Sequence, residues 1–540
     1  MQLTKIPDSF QRIAHYRLVG ITPLLAVIAL SGTFLILFSQ TGRGPYVSPD
    51  SINYIALSRN LLDGDGYVTW NGNPVATWPP GYPILLSLFS LSFFDPLDIA
   101  GMLNATILGI TTFVVGHRLT QYIKSTFLIL WGCFAIVFAA PLRQVSSSVW
   151  SEPAFILFLT LSLIWMDKYL SKEKRSSLIL AAMFTALACL TRYAGITLII
   201  TSITLLALQH GVIFQEKLKR LGLYLLISMA PLSVWLMRNF MVLGTLTGTR
   251  QPAETALQDN VYLALNTLIK WWQNSPQFTT LFQPIAVPVT ITILLVLVIL
   301  MGCITTSWWR NAGKSRDKNF ILVFGMFGFI YLIFMLWAAT TSKMDPLHHR
   351  LLSPAYLSLL VLVLFTIDRL FTYCREYGSF QRVSSISAVV SMLPAIVVIV
   401  LLLWAGLAGH TIVKKINMGK TIDNYGYRSK VWRKSQTLQY LQEYRPSRIY
   451  SNAPHAIYIN SDHIQTTSYR YLPRNIDVLA EWTETQHILS ENTYIVWFNR
   501  EYLTKRYDYN ASYLSDLPGL EPVAELTDGV IVKVSPRLGN

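Results

Sequence analysis

The run "LVGITPLLAVIALSGTFLILF" extends from Leu18 to Phe38 without a charged residue. At about 1.5 Å of helix per residue it reaches across a hydrocarbon core of about 30 Å. Comparable runs begin near Ile99, Ser125, Pro153, Ser177, Ile196, Leu221, Ile285, Asn319, Leu351 and Ser384. A chain with this pattern must satisfy its backbone inside a bilayer, and helices do so within each segment. The predicted fold class is an α-helical polytopic membrane protein of about eleven transmembrane helices, the two between Ser177 and Leu208 being the shortest. Composition agrees, since 52 % of residues are hydrophobic and only 14 % are charged, which excludes an ordinary soluble enzyme.

Lysine and arginine near span ends resist translocation, so their placement orients the chain. Lys5, Arg12 and Arg17 precede the first run. Alternate loops then hold Arg118 with Lys124, then Lys168, Lys172, Lys174 and Arg175, then Lys217, Lys219 and Arg220. Arg310, Lys314, Arg316 and Lys318 follow, and Arg369, Arg375 and Arg382 come last. These loops are expected in the cytoplasm with the N-terminus, which puts Asp50 outside; Lys414 and Lys415, past the last span, are the exception. The first run reads as a retained span rather than a cleaved signal, because it is span-length and no small-residue cleavage site follows. The net charge of +15 then reflects topology, so no nucleic-acid partner is expected. Cys133, Cys189, Cys303 and Cys374 lie in or beside the runs and imply no disulfide framework.

Polar residues concentrate on the outer side. A long first outer loop, 41–99, contains "SPDSINYIALSRNLL", a helix start with Ser48 or Asp50 as N-cap and apolar residues at helical spacing, expected to lie on the membrane surface. Turn signals in "DGDGY" and "NGNP" follow, then "PPGYPILLSLFSLSFF", a short apolar helix that the charge pattern does not allow to cross. Hydropathy collapses after Ala408. The domains are therefore read as 1–408, a transmembrane catalytic domain, and 409–540, a small α/β domain outside the cytoplasm. Its expected strands are in "SRIYSNAPHAIYI", "NTYIVWFN" and "GVIVKV".

Charged residues embedded among spans are costly and tend to pair or to serve a site. The outer face gathers Asp50 and Glu152 against Arg192, Arg238, Arg250, Lys343, His348, His349 and Arg350. Such a set suits transfer of a hydroxyl onto a phosphorylated carbon: a carboxylate takes the proton while guanidinium groups hold the leaving phosphate. No nucleotide-binding Gly-rich loop is present, which argues for a phosphate carried on a lipid.

The order of "SPDSINYIALSRNLLDGDGY", "PPGYPILL", "SEPAFILFLTLSLIW", "LTRYAG", "RNFMVLG" and "HHRLLSPAYLSLL" resembles the GT-C superfamily of integral-membrane glycosyltransferases. The likeness is greatest to the branch with protein O-mannosyltransferases and aminoarabinose transferases, glycosyltransferase family 39, and covers about the first 400 residues. The resemblance implies a GT-C fold and Asp50 as catalytic base, with Glu152 as a second acidic position that orients the acceptor or binds a divalent metal ion. It also implies Arg350 near the carrier phosphate. Ser51 stands where protein O-mannosyltransferases carry a second acidic residue, so the motif does not support protein mannosylation. Arg192 and Arg238, each ending an apolar run, are read as phosphate ligands, with His349 and Tyr54 added to the donor-binding set. The implied partners are membrane lipids, a polyprenyl-phosphate-linked sugar, and a lipid, glycan or protein acceptor, at the inner membrane. Whether a divalent metal takes part is left open, since no ligand cluster decides it.

Plainer readings accompany each residue. Asp50 could only cap its helix, Glu152 could pair with Arg143 or Arg192, and the arginines could anchor at headgroups. Adjacent His348 and His349 point different ways on a helix, Asp63 and Asp65 read as turn formers, and Trp70, Trp78, Trp271 and Trp272 as interface residues. Two other functions fit less: a flippase or transporter of lipid-linked sugars, which needs no base, and a non-catalytic receptor or assembly protein working through its tail.

Overall fold

The computed structural model describes residues 8–42, 44–91, 93–209, 211–273, 279–280, 283–310, 316–380, 385–419, 426–444, 446, 448–460, 468–475, 477–479, 493–517 and 520–534. Of the basic residues that orient the chain, Lys5, Lys314 and Arg382 lie outside these. Two compact units form. One comprises 1–40, 76–89 and 98–418; the other comprises 41–75, 90–97 and 419–540.

The first unit is helical and makes the protein multi-pass. Among the described residues, eight helices are long and apolar enough to cross a membrane. Thr126–Phe138 and Ala140–Ser146, bent by 50° at their junction, supply a ninth crossing if taken together. The last two expected spans fold as Arg175–Thr191 and Ile196–Leu208, only 17 and 13 residues long. About 20 are needed to cross, so the eleven runs become eight long helices, one bent pair and two short helices meeting at Arg192. Glu152–Lys172 and His349–Glu376 are mostly buried, whereas Gln283–Trp308 and Met392–Lys414 expose most of their apolar surface, as helices facing lipid do. Gly81 opens the ten-residue helix Gly81–Ser90. A Cβ there would stand 2.7 Å from the Leu190 carbonyl, so this close approach requires glycine.

The second unit joins much of the first outer loop to the C-terminal tail. Its sheet has the order β2-β1-β3-β5-β4, with β1 Arg448–Ser451, β2 Ser468–Tyr471, β3 Thr493–Phe498, β4 Leu520–Leu526 and β5 Gly529–Val534. β1 runs parallel to β2 and β3, while β5 runs antiparallel to β3 and β4. The apolar run of β3 is buried along its whole length, as a central strand must be. Trp497, Ile495, Val532, Tyr450, Leu514 and Tyr509 form the core on one side.

Three local expectations change. Ser48, not Asp50, caps the helix Pro49–Asp63, in a reciprocal capping box with Ser51. That helix is buried on all faces from Ser51 to Ser58 instead of lying on a surface. In "SRIYSNAPHAIYI" only the first part is a strand; Pro454 fits a first helical turn, and Pro454–Asn460 is a helix. The tail also begins later than Ala408, because the last membrane helix continues to Gly419.

Candidate functional site

Glu152 stands at the first position of the helix Glu152–Lys172, where unpaired backbone N–H groups favour an anion. Arg192 lies in the break between two short helices, in extended conformation at φ −151°. The turn stays tight because Gly195 has no room for a side chain: a Cβ would sit 2.7 Å from the Cys189 backbone. Arg350 lies in the first turn of His349–Phe380. These elements bring three charges together. Arg192 Nη1 lies 2.6 Å from Glu152 Oε1, and Arg350 Nε donates to the same oxygen at 2.7 Å.

The cluster is deeply set, with side-chain accessibility of 1 % for Glu152 and 7 % for Arg350. The Arg350 guanidinium stacks 4.2 Å above the Trp150 ring, and Arg192 Nη1 also donates to Ser151 Oγ at 3.3 Å. Two guanidiniums against one carboxylate leave a single net positive charge, which suits a phosphate monoanion. Glu152 Oε2 is buried with no hydrogen-bond partner among the described residues, so one acceptor position remains for a ligand or water.

Arg238 joins this cluster through a neutral hub. Its Nη1 donates to Asn239 Oδ1 at 3.1 Å, and its guanidinium lies 5.0 Å from the Trp235 ring. The hydroxyl of Tyr193, next to Arg192, donates to the Ala76 carbonyl at 2.6 Å and accepts from Trp235 Nε1 at 3.0 Å and Asn239 Nδ2 at 3.3 Å. Tyr193→Phe deletes all three bonds and is expected to destabilise the protein by about 1–3 kcal/mol, read as a lower melting temperature in nanodiscs. A variant that melts with the wild type shows that water replaces the hydroxyl.

Sequence reasoning missed this hub, together with Trp150 and Asn104. Asn104 Nδ2 donates to the Ser148 carbonyl at 2.7 Å and the Trp150 carbonyl at 3.1 Å, fixing the segment before Glu152. The available signal was a polar amide within an apolar run. The same unit holds a cavity of about 400 Å³ lined by Trp131, Trp271, Trp272, Tyr356, Leu360 and Trp404 among others, almost wholly apolar.

Asp50 and Tyr54 lie in the other unit, on Pro49–Asp63, Tyr54 buried and Asp50 half-buried. There the Asp50 carboxylate acts on His455 of the tail, whose Nδ1 lies 2.9 Å from the Tyr471 hydroxyl. Burial pushes the His455 pKa down to about 4, against a weaker upward pull from Asp50. A histidine depressed from about 6.5 keeps its full contribution above the unfolded pKa and loses it as pH falls from 6.5 toward 4. The wild type should therefore lose on the order of 3 kcal/mol more than His455→Gln across that window. Amide hydrogen exchange at β1 and β3 as a function of pH checks this; parallel pH profiles for both proteins refute it.

His349 is half-buried at its helix start, and His348 Nδ1 lies 2.7 Å from the Pro346 carbonyl, so the pair does not converge on one ligand. Among the described residues no three His, Cys, Asp or Glu side chains gather as a metal site. Glu152 does not fit a cation, because its Oε1 already faces two guanidiniums. No step below is routed through a metal ion.

No protein-family model matches the sequence, and no curated protein matches it. Solved structures do. ArnT from Cupriavidus metallidurans in the apo state is 13 % identical with a TM-score of 0.54, covering 95 % of this chain and 98 % of that one. The same protein bound to undecaprenyl phosphate gives a TM-score of 0.56 at 13 % identity, over 96 % and 99 %. An oligosaccharyltransferase from Archaeoglobus fulgidus, tethered to an acceptor peptide, gives 0.50 at 13 % identity, over 96 % and 74 %. The chain is thus a multi-pass membrane protein with the fold of the GT-C glycosyltransferases.

Proposed function

We propose that the protein is an inverting glycosyltransferase that moves a sugar from a polyprenyl-phosphate donor to an acceptor hydroxyl at the outer face of the inner membrane. In this reading the N-terminus is cytoplasmic and the tail domain lies outside. The observation that carries it is the buried Glu152–Arg192–Arg350 cluster with its net positive charge. A membrane protein does not bury two guanidiniums against one carboxylate without an anion to bind or a cost to bear. The apolar cavity in the same unit suits a polyprenyl tail.

Each group then has a task. Asp50 takes the proton of the acceptor hydroxyl, and the freed oxygen attacks the anomeric carbon from the face opposite the phosphate. The bond from that carbon to the phosphate oxygen breaks with its electron pair on oxygen, and the lipid phosphate departs. Arg192, Arg350 and Arg238 hold the charge that grows on it. Glu152 keeps the two guanidiniums in place, and its second oxygen accepts a sugar hydroxyl.

The test presents purified protein in nanodiscs with a panel of polyprenyl-phosphate sugars and follows the release of lipid phosphate and the anomeric configuration of the product. Release with inverted configuration is expected. Movement of intact donor across the bilayer without release would sink the transferase reading and favour a flippase.

A further inference from the structure

The segment 41–75 and the tail are locked to one another within the second unit. The Tyr427 N–H donates to the Val47 carbonyl at 3.1 Å, and Asn460 Nδ2 donates to the Tyr427 carbonyl at 2.9 Å. Gly426 sits at φ +63° against Val47 with no space for a Cβ, so only glycine makes the turn. The helices Pro49–Asp63 and Pro454–Asn460 pack together, with the Arg59 guanidinium 5.6 Å from the Tyr458 ring.

This locking gathers aromatic rings around His455. Trp70 lies 4.7 Å from the imidazole, Tyr471 5.5 Å and Tyr427 5.8 Å, while Trp70 and Tyr471 are 6.0 Å apart. The cluster is no closed core, because Tyr471 is 44 % exposed and Trp70 is half-buried. His455 uses Nδ1 on the Tyr471 hydroxyl, which leaves Nε2 as the polar atom of the ring still able to meet a ligand. Asp50, the base of the proposed reaction, acts electrostatically on the same ring.

Exposed aromatic surface around one neutral imidazole matches a particular kind of molecule. A sugar ring has an apolar C–H face and a rim of hydroxyl groups. The face loses water against an indole or phenol ring, and a hydroxyl exchanges a hydrogen bond with an imidazole that can donate or accept. The one cation packed here, Arg59, is paired with Asp95 at 2.8 Å and so is not arranged for an acidic ligand.

We propose that this cluster is the acceptor subsite and that the acceptor is a saccharide, its ring against Trp70 and Tyr471 and a hydroxyl on His455 Nε2. The inference rests on the glycosyltransferase reading, deepens it by naming the acceptor class, and gives the tail domain its task.

The experiment uses the full chain in nanodiscs, without donor, and methyl glycosides of common hexoses and pentoses as probes, followed by saturation-transfer NMR. Saturation is expected on the C–H protons of one sugar face. Trp70→Ala and Tyr471→Ala are each expected to weaken binding about tenfold. Trp337→Phe, on an exposed position of the membrane unit, is expected to bind as the wild type. Tyr471 is exposed enough that its variant should fold even if Trp70→Ala does not. The proposal is overturned if no glycoside binds the wild type, or if both cluster variants bind as tightly as it does. Transfer to a peptide or lipid acceptor without glycoside binding would overturn this subsite and leave the transferase reading intact. Glycoside binding with no release of lipid phosphate would do the reverse.

Discussion

Asp50→Asn is expected to lower transfer by about 10²- to 10⁴-fold, the range that a positioned general base contributes, with the folded structure retained. The two halves of this expectation have different grounds. Retention follows from the capping geometry: the orphan N–H groups of Pro49–Asp63 are met by Ser48 and Ser51, and Asn is close to Asp in size. What the helix loses is a first-turn charge, worth about 0.3–1 kcal/mol. Loss of transfer follows because an amide cannot take the acceptor proton. Turnover under saturating donor, set beside a melting curve for each protein, checks both halves. Transfer within a few-fold of the wild type would remove Asp50 from the chemistry and leave it a first-turn helix residue only. Equal loss of turnover and of melting temperature would show a structural part instead.

Much of the membrane unit could be read from the chain, because a crossing helix has to be apolar over its full length and that demand is written contiguously. The two short helices at Arg192 show where the rule weakens: the run from Ser177 to Leu208 is apolar enough for two spans and too short for them. The charged cluster was half legible. Glu152, Arg192 and Arg350 each stood out as an expensive residue near a span end, but the shared oxygen joins positions 198 residues apart. No local pattern encodes that contact. In the tail, β3 and β5 announce themselves by apolar β-branched and aromatic residues. β4 carries Pro522, which belongs on an edge strand and weakens the signal, and β2, "SYRY", is short and polar. "AIYI" suits either helix or strand in so short a run, and the tertiary packing of Pro454–Asn460 decides it. That the first loop and the tail share one unit depends on long-range pairing such as Val47 with Gly426. Nothing in the hydropathy of either segment carries that pairing.

The second large effect concerns the balance of charge at Glu152. Replacing it with Gln leaves two guanidiniums facing a neutral amide, one of them 7 % accessible. Removing one partner from a buried ion pair costs about 3–5 kcal/mol. Arg192→Gln is expected to cost less than Glu152→Gln, because the carboxylate then keeps Arg350 and Arg192 is the more accessible cation at 17 %. The order of melting temperatures should therefore be wild type, Arg192→Gln, Glu152→Gln. Stability alone does not separate a structural cluster from a phosphate site, but ligand addition does. Without the carboxylate the cluster carries two net positive charges and needs an anion more, so polyprenyl phosphate should raise the melting temperature of Glu152→Gln more than that of the wild type. A ligand at a hundred times its Kd stabilises by about 2.7 kcal/mol, which is enough to recover most of the loss. If the phosphate lipid raises neither protein, the guanidiniums serve only each other's carboxylate, and the donor phosphate must be held elsewhere. If it raises Glu152→Gln the more, the anion has taken the place of the carboxylate, and Glu152 is the group that in the wild type keeps two arginines gathered until a phosphate arrives.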